Sequence, residues 1–343
     1  MVGDRALVVG INRYPSAGVD PLEGAVADAT RFHEWVTNPA GGGITEAGHA
    51  VLLTTPPIQA DGDLPRPISP DLQEFFYKLI QTHAAHPGRR LYVFLSGHGI
   101  SPSSQESVRN AALLMANAMQ PNNYHCFPGN VWAEGVRSAA LFREVILIMD
   151  CCRDINNTAT VSGHIFGEPS EDAKNCVLLE AYATQWGSKS RELELPPDGK
   201  KRGVFTYSVL EVLNSGRMNG TVFKAAVKAH LKRTLDDEKK RQQTEIRGNP
   251  EDTALDQIVF NENAAKSRVP IRINGHPADP PRILTFPEGS DDSVDVPLDG
   301  WTRQNGDWNG TLASGQYELW LPTGSAKRFK AFPANPVELT VQP

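Results

Sequence analysis

Long apolar runs are missing from this chain of 343 residues. No stretch approaches the ~20 consecutive apolar residues that carry a helix across a bilayer, so no membrane span is expected. Positive charge is in short supply too: 34 Lys and Arg stand against 40 Asp and Glu, a formal net charge of −6. That balance excludes a protein whose main work is coating nucleic acid or an anionic membrane. Met1 to Asn12 lacks the basic, apolar, small-residue order of a secretory signal and reads directly into a strand. Cysteine is scarce, four residues in all, which is no disulfide framework. Free thiols fit a reducing compartment, so a cytoplasmic location is expected.

What is present suits a globular protein. Hydrophobic residues make up 40% and charged residues 22%, enough to bury a sizeable core. The length allows about two domains. All four cysteines (Cys126, Cys151, Cys152, Cys176) and all five methionines precede residue 219, whereas Pro270 to Pro343 holds ten of the 26 prolines. Arg247 to Arg268 is polar and weakly periodic and reads as a linker or strap. The expected division is 1–264 and 265–343.

The first part alternates apolar runs with helical spacing. Arg5 to Asn12, Arg90 to Leu95 and Glu144 to Met149 are continuous apolar runs of the kind buried on both faces of a parallel sheet. Shorter runs occur at His49 to Thr54 and Cys176 to Glu180. Leu22 to Val36, Pro70 to His83, Phe205 to Leu213 and Thr221 to Leu235 repeat their apolar residues at helical intervals. The pattern predicts an α/β fold, a mainly parallel sheet with helices on both faces. The second part shows only short strand-like runs between Gly, Pro and Asp turns. It predicts a small all-β, sandwich-like domain. Trp301, Trp308 and Trp320 fall there, as core residues or as a stacking platform for a ligand.

In a parallel sheet, reactive groups gather at the carboxyl ends of the strands. Tyr92 to Leu95 ends in Ser96-Gly97-His98-Gly99, and Val145 to Met149 ends in Asp150-Cys151-Cys152-Arg153. A histidine and a cysteine pair thus emerge 54 residues apart, against the spacing of about 50 known for one histidine–cysteine protease family. A thiolate is the nucleophile of acyl transfer, and an imidazole can take its proton and later protonate the leaving amine. Glycines on both sides of His98 leave room for a peptide, and the amides of Gly99 and the cysteine could form an oxyanion hole. Zinc is the competing chemistry, but the cysteines show no CxxC pair and adjacent cysteines fit one tetrahedral ion poorly. No metal or other cofactor is expected.

Ala6 to Asn12, Leu95-Ser-Gly-His-Gly99, Ile148-Met-Asp-Cys-Cys152 and Gly203-Val-Phe-Thr-Tyr207 resemble, in this order, the caspase-like cysteine peptidases, and within them the bacterial metacaspase-like members. The resemblance covers about residues 1–260. It implies a caspase-like fold, a protein or peptide substrate, and a catalytic dyad of His98 and Cys152, the second cysteine because the metacaspase pattern is Asp-x-Cys. It also places Asp150 and Asp28 in the first substrate pocket, where two carboxylates favour Arg or Lys before the cut over Asp. The family usually continues with His-Ser-Gly where this chain has Arg153-Asp154-Ile155, so the shape of that loop is left open. Calcium activates some metacaspases; Glu168, Glu171 and Asp172 are acidic neighbours without calcium-ligand spacing.

Two segments are candidate regulators of access. Ile100 to Phe127 reads as a long polar lid. Ser188 to Gly203, with Lys189, Arg191, Lys200, Lys201 and Arg202, reads as a basic loop, either a site of self-cleavage or a solvated surface. The resemblance further suggests a stress or antiphage effector whose second domain senses a small molecule or a protein activator. The alternatives are a catalytically silent scaffold, favoured by Arg153, and a different cysteine hydrolase or acyltransferase on a similar sheet.

Overall fold

The computed structural model describes residues 3–56, 64–102, 110–119, 125–156, 159, 163–196, 198–235, 242–262, 268–274, 280–285, 294–313, 315–320, 324, 326–331 and 337–340. A six-stranded sheet forms from β1 (Arg5–Gly10), β2 (Ala50–Thr54), β3 (Gly88–Ser96), β4 (Phe142–Asp150), β5 (Val177–Tyr182) and β6 (Glu245–Asn249). Its order is β6-β5-β4-β3-β1-β2. The pairs from β2 to β5 are all parallel, and β6 alone runs antiparallel, beside β5. Among the described residues, five α-helices accompany it: α1 (Ala25–Thr37), α2 (Ser69–His83), α3 (Gly129–Ser138), α4 (Val204–Leu213) and α5 (Gly220–Thr234).

Alternation along each strand builds two cores. Leu7, Val9, Leu91, Val93, Leu95, Val145, Leu147 and Met149 face α2 and α3. Ala6, Val8, Tyr92, Phe94, Ile146, Ile148 and Leu179 face α1, α4 and α5. Phe32 of α1 stacks on Phe94 of β3, with centroids 4.5 Å apart. The start of α2 is fixed by Asp71, whose carboxylate accepts the Ile68 amide at 2.8 Å; the start of α5 is capped by Asn219, which accepts from the Val222 amide.

The helices and strands read in the first part are present, and three segments there take a form other than the one expected. The expected strap began at Arg247, but Arg247 to Asn249 belong to the edge strand β6 (Glu245–Asn249); only Ile246 of it is buried in the apolar core, and Arg247 is held by Glu180 at 2.6 Å. The expected lid contains three short strands, Gly99–Ser101, Ala112–Leu114 and Cys126–Phe127, which with Asp154–Ile155 make a small sheet. Ala111 to Ala116 are buried there, so this part is packed rather than loose; residues 103–109 and 120–124 of the same segment lie outside those described. The basic loop is a hairpin, Glu192–Leu195 paired with Lys200–Gly203.

The C-terminal part forms two four-stranded, mainly antiparallel sheets. Ile271, Ile273, Leu312 and Leu339 of one sheet and Ile283, Tyr317, Leu319 and Ala331 of the other share one apolar cluster. Trp301 and Trp308 are partly buried and pack against this cluster, while Trp320 is 37% exposed beneath the Arg282 guanidinium. The expected junction near residue 265 lies outside the described residues. No described helix is long and apolar enough to cross a membrane.

Candidate active site

Strand order reverses between β1 and β3, and at such a point the carboxyl ends of the strands open a crevice. Gly10, Ser96 and Asp150, the last residues of β1, β3 and β4, are register partners across it. Gly97 turns the chain out of β3 at a φ of +155°, and a Cβ there would sit 2.4 Å from the Tyr14 hydroxyl. The close approach serves a hydrogen bond: the His98 amide donates to Tyr14 Oη at 2.8 Å, and Tyr14 donates to the Ile11 carbonyl at 3.1 Å. The half-buried His98 ring lies 5.1 Å from the Tyr14 ring. Its Nε2 is 2.8 Å from the Asp20 carbonyl oxygen. A carbonyl can only accept, so Nε2 carries the proton and Nδ1 of the neutral ring keeps its lone pair for another proton.

The two cysteines beyond β4 have different surroundings. Cys151 is 2% exposed and packs in the core; a Cβ on Gly99 would meet its sulfur at 2.5 Å. Burial raises its thiol far above the ordinary range. Cys152 is half-buried, and its sulfur faces Ser190, accepting that amide at 3.3 Å. Burial raises this thiol too, and the Ser190 N–H works against the rise. The same Gly99 Cβ would come within 2.6 Å of the Cys152 carbonyl oxygen, so the backbones of Gly99 and Cys152 are in contact. Among the described residues, no hydrogen bond joins His98 to Cys152; adjacent strands bring them to one edge of the sheet. The sulfurs of Cys151 and Cys152 occupy different environments, core and crevice, which is no basis for a shared zinc ion.

Asp28 on α1 and Asp150 at the end of β4 are 1% and 6% exposed and converge at Gly203. Asp28 accepts the Gly203 amide at 2.8 Å. Asp150 accepts from Ser190 Oγ at 2.8 Å and from the amide and hydroxyl of Thr206 at 2.9 and 2.7 Å. Burial raises the pKa of both carboxyls, with the Asp150 charge adding to the rise at Asp28. Glu192, on the hairpin, contributes to both shifts; its carboxylate accepts the Gly24 and Glu23 amides at the start of α1, at 2.9 and 3.2 Å. An anion is favoured at that end of a helix. Lys201 adds an ion pair to Glu23 at 2.6 Å, so the hairpin is clasped to α1. Arg202 is buried, its guanidinium on the Pro196 carbonyl and Asp198, whereas Lys189, Arg191, Lys200 and Lys201 are exposed.

Tyr14, Asp20, Ser190, Glu192 and Thr206 are parts of this site that sequence reasoning missed. Tyr14 follows β1 in a turn that reads as a strand stop, and only its place at the same sheet edge hints at a role. Among the described residues, no three metal-ligating side chains gather; Glu171 and Asp172 open a short 3-10 turn.

A profile of the Caspase domain matches residues 4–254, about three-quarters of the chain, and the chain belongs to that family of cysteine peptidases. A probable protease from a Desulfuromonadales bacterium is 28% identical over 218 residues, covering 60% of this chain but only 25% of the relative. The chain therefore spans about a quarter of that relative's length. Among solved structures, a Geobacter sulfurreducens protein is similar at 13% identity and a TM-score of 0.46, over 75% of this chain and 97% of its own. The precursor sf-caspase-1 is similar at 13% identity and a TM-score of 0.42, over 71% of this chain and 86% of its own.

Proposed function

We propose that this chain is a cysteine endopeptidase that cuts after Arg or Lys through His98 and Cys152. The observation that carries the reading is the placement of Cys152: it is the one half-buried thiol among four free cysteines, at a strand end next to the His98–Gly99 turn. In this reading Nδ1 of His98 takes the Cys152 proton as the sulfur attacks the scissile carbonyl. The Gly99 and Cys152 amides hold the oxyanion. His98 then gives that proton to the leaving amine, which departs as the acyl-enzyme forms. Water, deprotonated by His98, attacks the thioester and restores the thiol. The Asp20 carbonyl keeps the ring in the tautomer this sequence needs.

Two desolvated carboxyls, Asp28 and Asp150, support a basic residue before the cut. A guanidinium would supply the positive charge that protein donors alone do not, and a substrate carboxylate would be buried without a partner. We read the C-terminal β domain as regulatory, a sensor of a small molecule or protein in a stress or antiphage response; its separate apolar cluster supports an independent unit. The test of specificity is a panel of coumarin amides differing only in the residue before the cut: Arg, Lys, Asp and Leu. Arg and Lys should be cleaved and Asp should not; preferred cleavage after Asp would overturn the pocket assignment.

A further inference from the structure

Past the nucleophile the chain continues Arg153-Asp154-Ile155, and Ile155 is 45% exposed. That is a high exposure for a β-branched aliphatic beside a candidate active site. Its position is well fixed. Asp154–Ile155 pairs parallel with the strand Gly99–Ser101, with Ser101 opposite Ile155, and the Asn156 amide donates to the Ser101 carbonyl at 2.8 Å. The segment around Gly187 runs back along the same stretch. The Arg153 amide donates to the Ser188 carbonyl and the Gly187 amide to the Arg153 carbonyl, both at 2.9 Å.

Gly187 turns with a φ of +75°, and a Cβ there would lie 3.8 Å from Cδ1 of Ile155. Trp186, half-buried, precedes that turn. Its indole N–H donates to Ser101 Oγ at 2.8 Å, and the fully buried Ser101 hydroxyl donates onward to the Asn110 carbonyl at 2.7 Å. The indole is therefore pinned by its only polar atom and offers a ligand no donor, only carbon surface. Ile155 and the Trp186–Gly187 turn lie side by side.

We infer that Ile155 and Trp186 form an apolar shelf for the substrate residue that follows the scissile bond. The inference rests on the proposed peptidase reading, in which Asp28 and Asp150 hold the residue before the cut. Asp150 precedes Cys152 in the chain, and Ile155 follows it on the short strand that runs parallel with Gly99–Ser101, just past His98. A peptide anchored by its basic side chain on one side of the sulfur leaves on the other, across Ile155 and Trp186. The nearby charges Asp154 and Lys189 pair with each other at 3.7 Å and give a charged side chain no unbalanced partner. The shelf takes a large aliphatic or aromatic residue.

The test uses internally quenched peptides with a constant Arg before the cut and Phe, Leu, Gly, Asp or Lys after it. A peptidyl-Arg coumarin amide, which has no amino acid after the cut, is assayed in parallel. The full chain should favour Phe and Leu over Asp by at least ~10-fold in kcat/KM, about the discrimination a hydrophobic pocket gives for small changes in apolar contact. Ile155→Asp should turn the preference toward Lys, and Ile155→Lys should turn it toward Asp. Opposite shifts from two substitutions at one exposed position cannot come from misfolding. Equal rates for Phe, Gly and Asp, or the same preference in both variants, would overturn the shelf. Failure to cleave the coumarin amide would overturn the peptidase reading beneath it, and the shelf with it.

Discussion

Asp28 and Asp150 approach Gly203 so closely that a Cβ there would stand 2.1 Å from one carboxylate and 2.9 Å from the other. Two acids from α1 and β4 thus meet at the residue that leads into α4; Gly203 and Thr206 at the helix start donate to them, and Ser190 adds a third donor to Asp150. Any side chain at position 203 must push the acids apart. Gly203→Ala should therefore lower kcat/KM for Arg substrates by at least ~10-fold, since small misplacements of a binding group can cost up to 10²-fold. A coumarin assay with a matched melting curve checks this; full activity in a folded variant would separate the two acids from substrate binding.

The raised pKa of Asp28 has a consequence for stability. A carboxyl whose folded pKa lies above its unfolded value binds its proton more tightly in the native state. Its contribution to stability is then present at low pH and is lost as pH rises from the ordinary carboxylate value, about 3.9, through the raised one. Asp28→Asn cannot ionise and keeps an oxygen for the Gly203 amide. It should raise Tm near pH 7, by about 2–4 °C per kcal/mol relieved in a domain of this size, and change little near pH 4. Scanning calorimetry at the two pH values is the check. A lower Tm at pH 7 would mean that the ionised acid is well paired.

Arg153 stands where the resembled family has His-Ser-Gly, and its guanidinium is the clearest structural difference that follows. It is fully buried, lies 4.2 Å from the Tyr182 ring centroid and bonds Glu245 of β6 at 2.7 Å. The residue after Cys152 is thereby tied to the edge strand. Glu245 is partly exposed and also meets Arg247 at 3.4 Å, so removing Arg153 costs about the 1.5–3 kcal/mol of a hydrogen bond to a charged group rather than the larger loss of a fully buried pair. Arg153→Met should show a loss of that order in urea unfolding, and Arg153→Met with Glu245→Gln should lose less than the two single changes added together. Strict additivity would mean that the two do not interact in solution.

The fold was legible where burial on both faces wrote continuous apolar runs, as in β1, β3 and β4, and where α1 and α2 repeat Phe32, Val36, Leu72, Phe76 and Leu79 on one side. It was illegible at the margins. β6 alternates Glu245, Arg247 and Asn249 with one apolar side chain in the core, so a half-exposed edge strand reads as a linker. α3 carries Gly129 and Gly135, which mask the helical face of Trp132, Ala133 and Val136. In the site, His98 and Cys152 are legible as candidate reactive groups because each follows a strand end. Asp20 acts through its carbonyl, and Ser190 meets the Cys152 sulfur through its amide; no side-chain pattern reports a backbone contact.

The thiol's environment also sets a pH dependence. With burial raising Cys152, the thiolate fraction of the free chain should still be growing above pH 8.5, the ordinary thiol value. Alkylation by iodoacetamide, followed at Cys152 by mass spectrometry, should therefore keep accelerating through that pH. A plateau below pH 7 would show that His98 ionises the thiol before substrate arrives.

The central claim is that Cys152, aided by His98, is the nucleophile. The most direct measurement is covalent labelling of the full chain with a peptidyl-Arg fluoromethylketone, mapped by peptide mass spectrometry. One adduct is expected, on Cys152; it should be lost in Cys152→Ala, kept in Cys151→Ala, and slowed by ~10²–10⁴ in His98→Ala, the range typical of a general base. An adduct on Cys151, or labelling of Cys152 at an undiminished rate without His98, would contradict it.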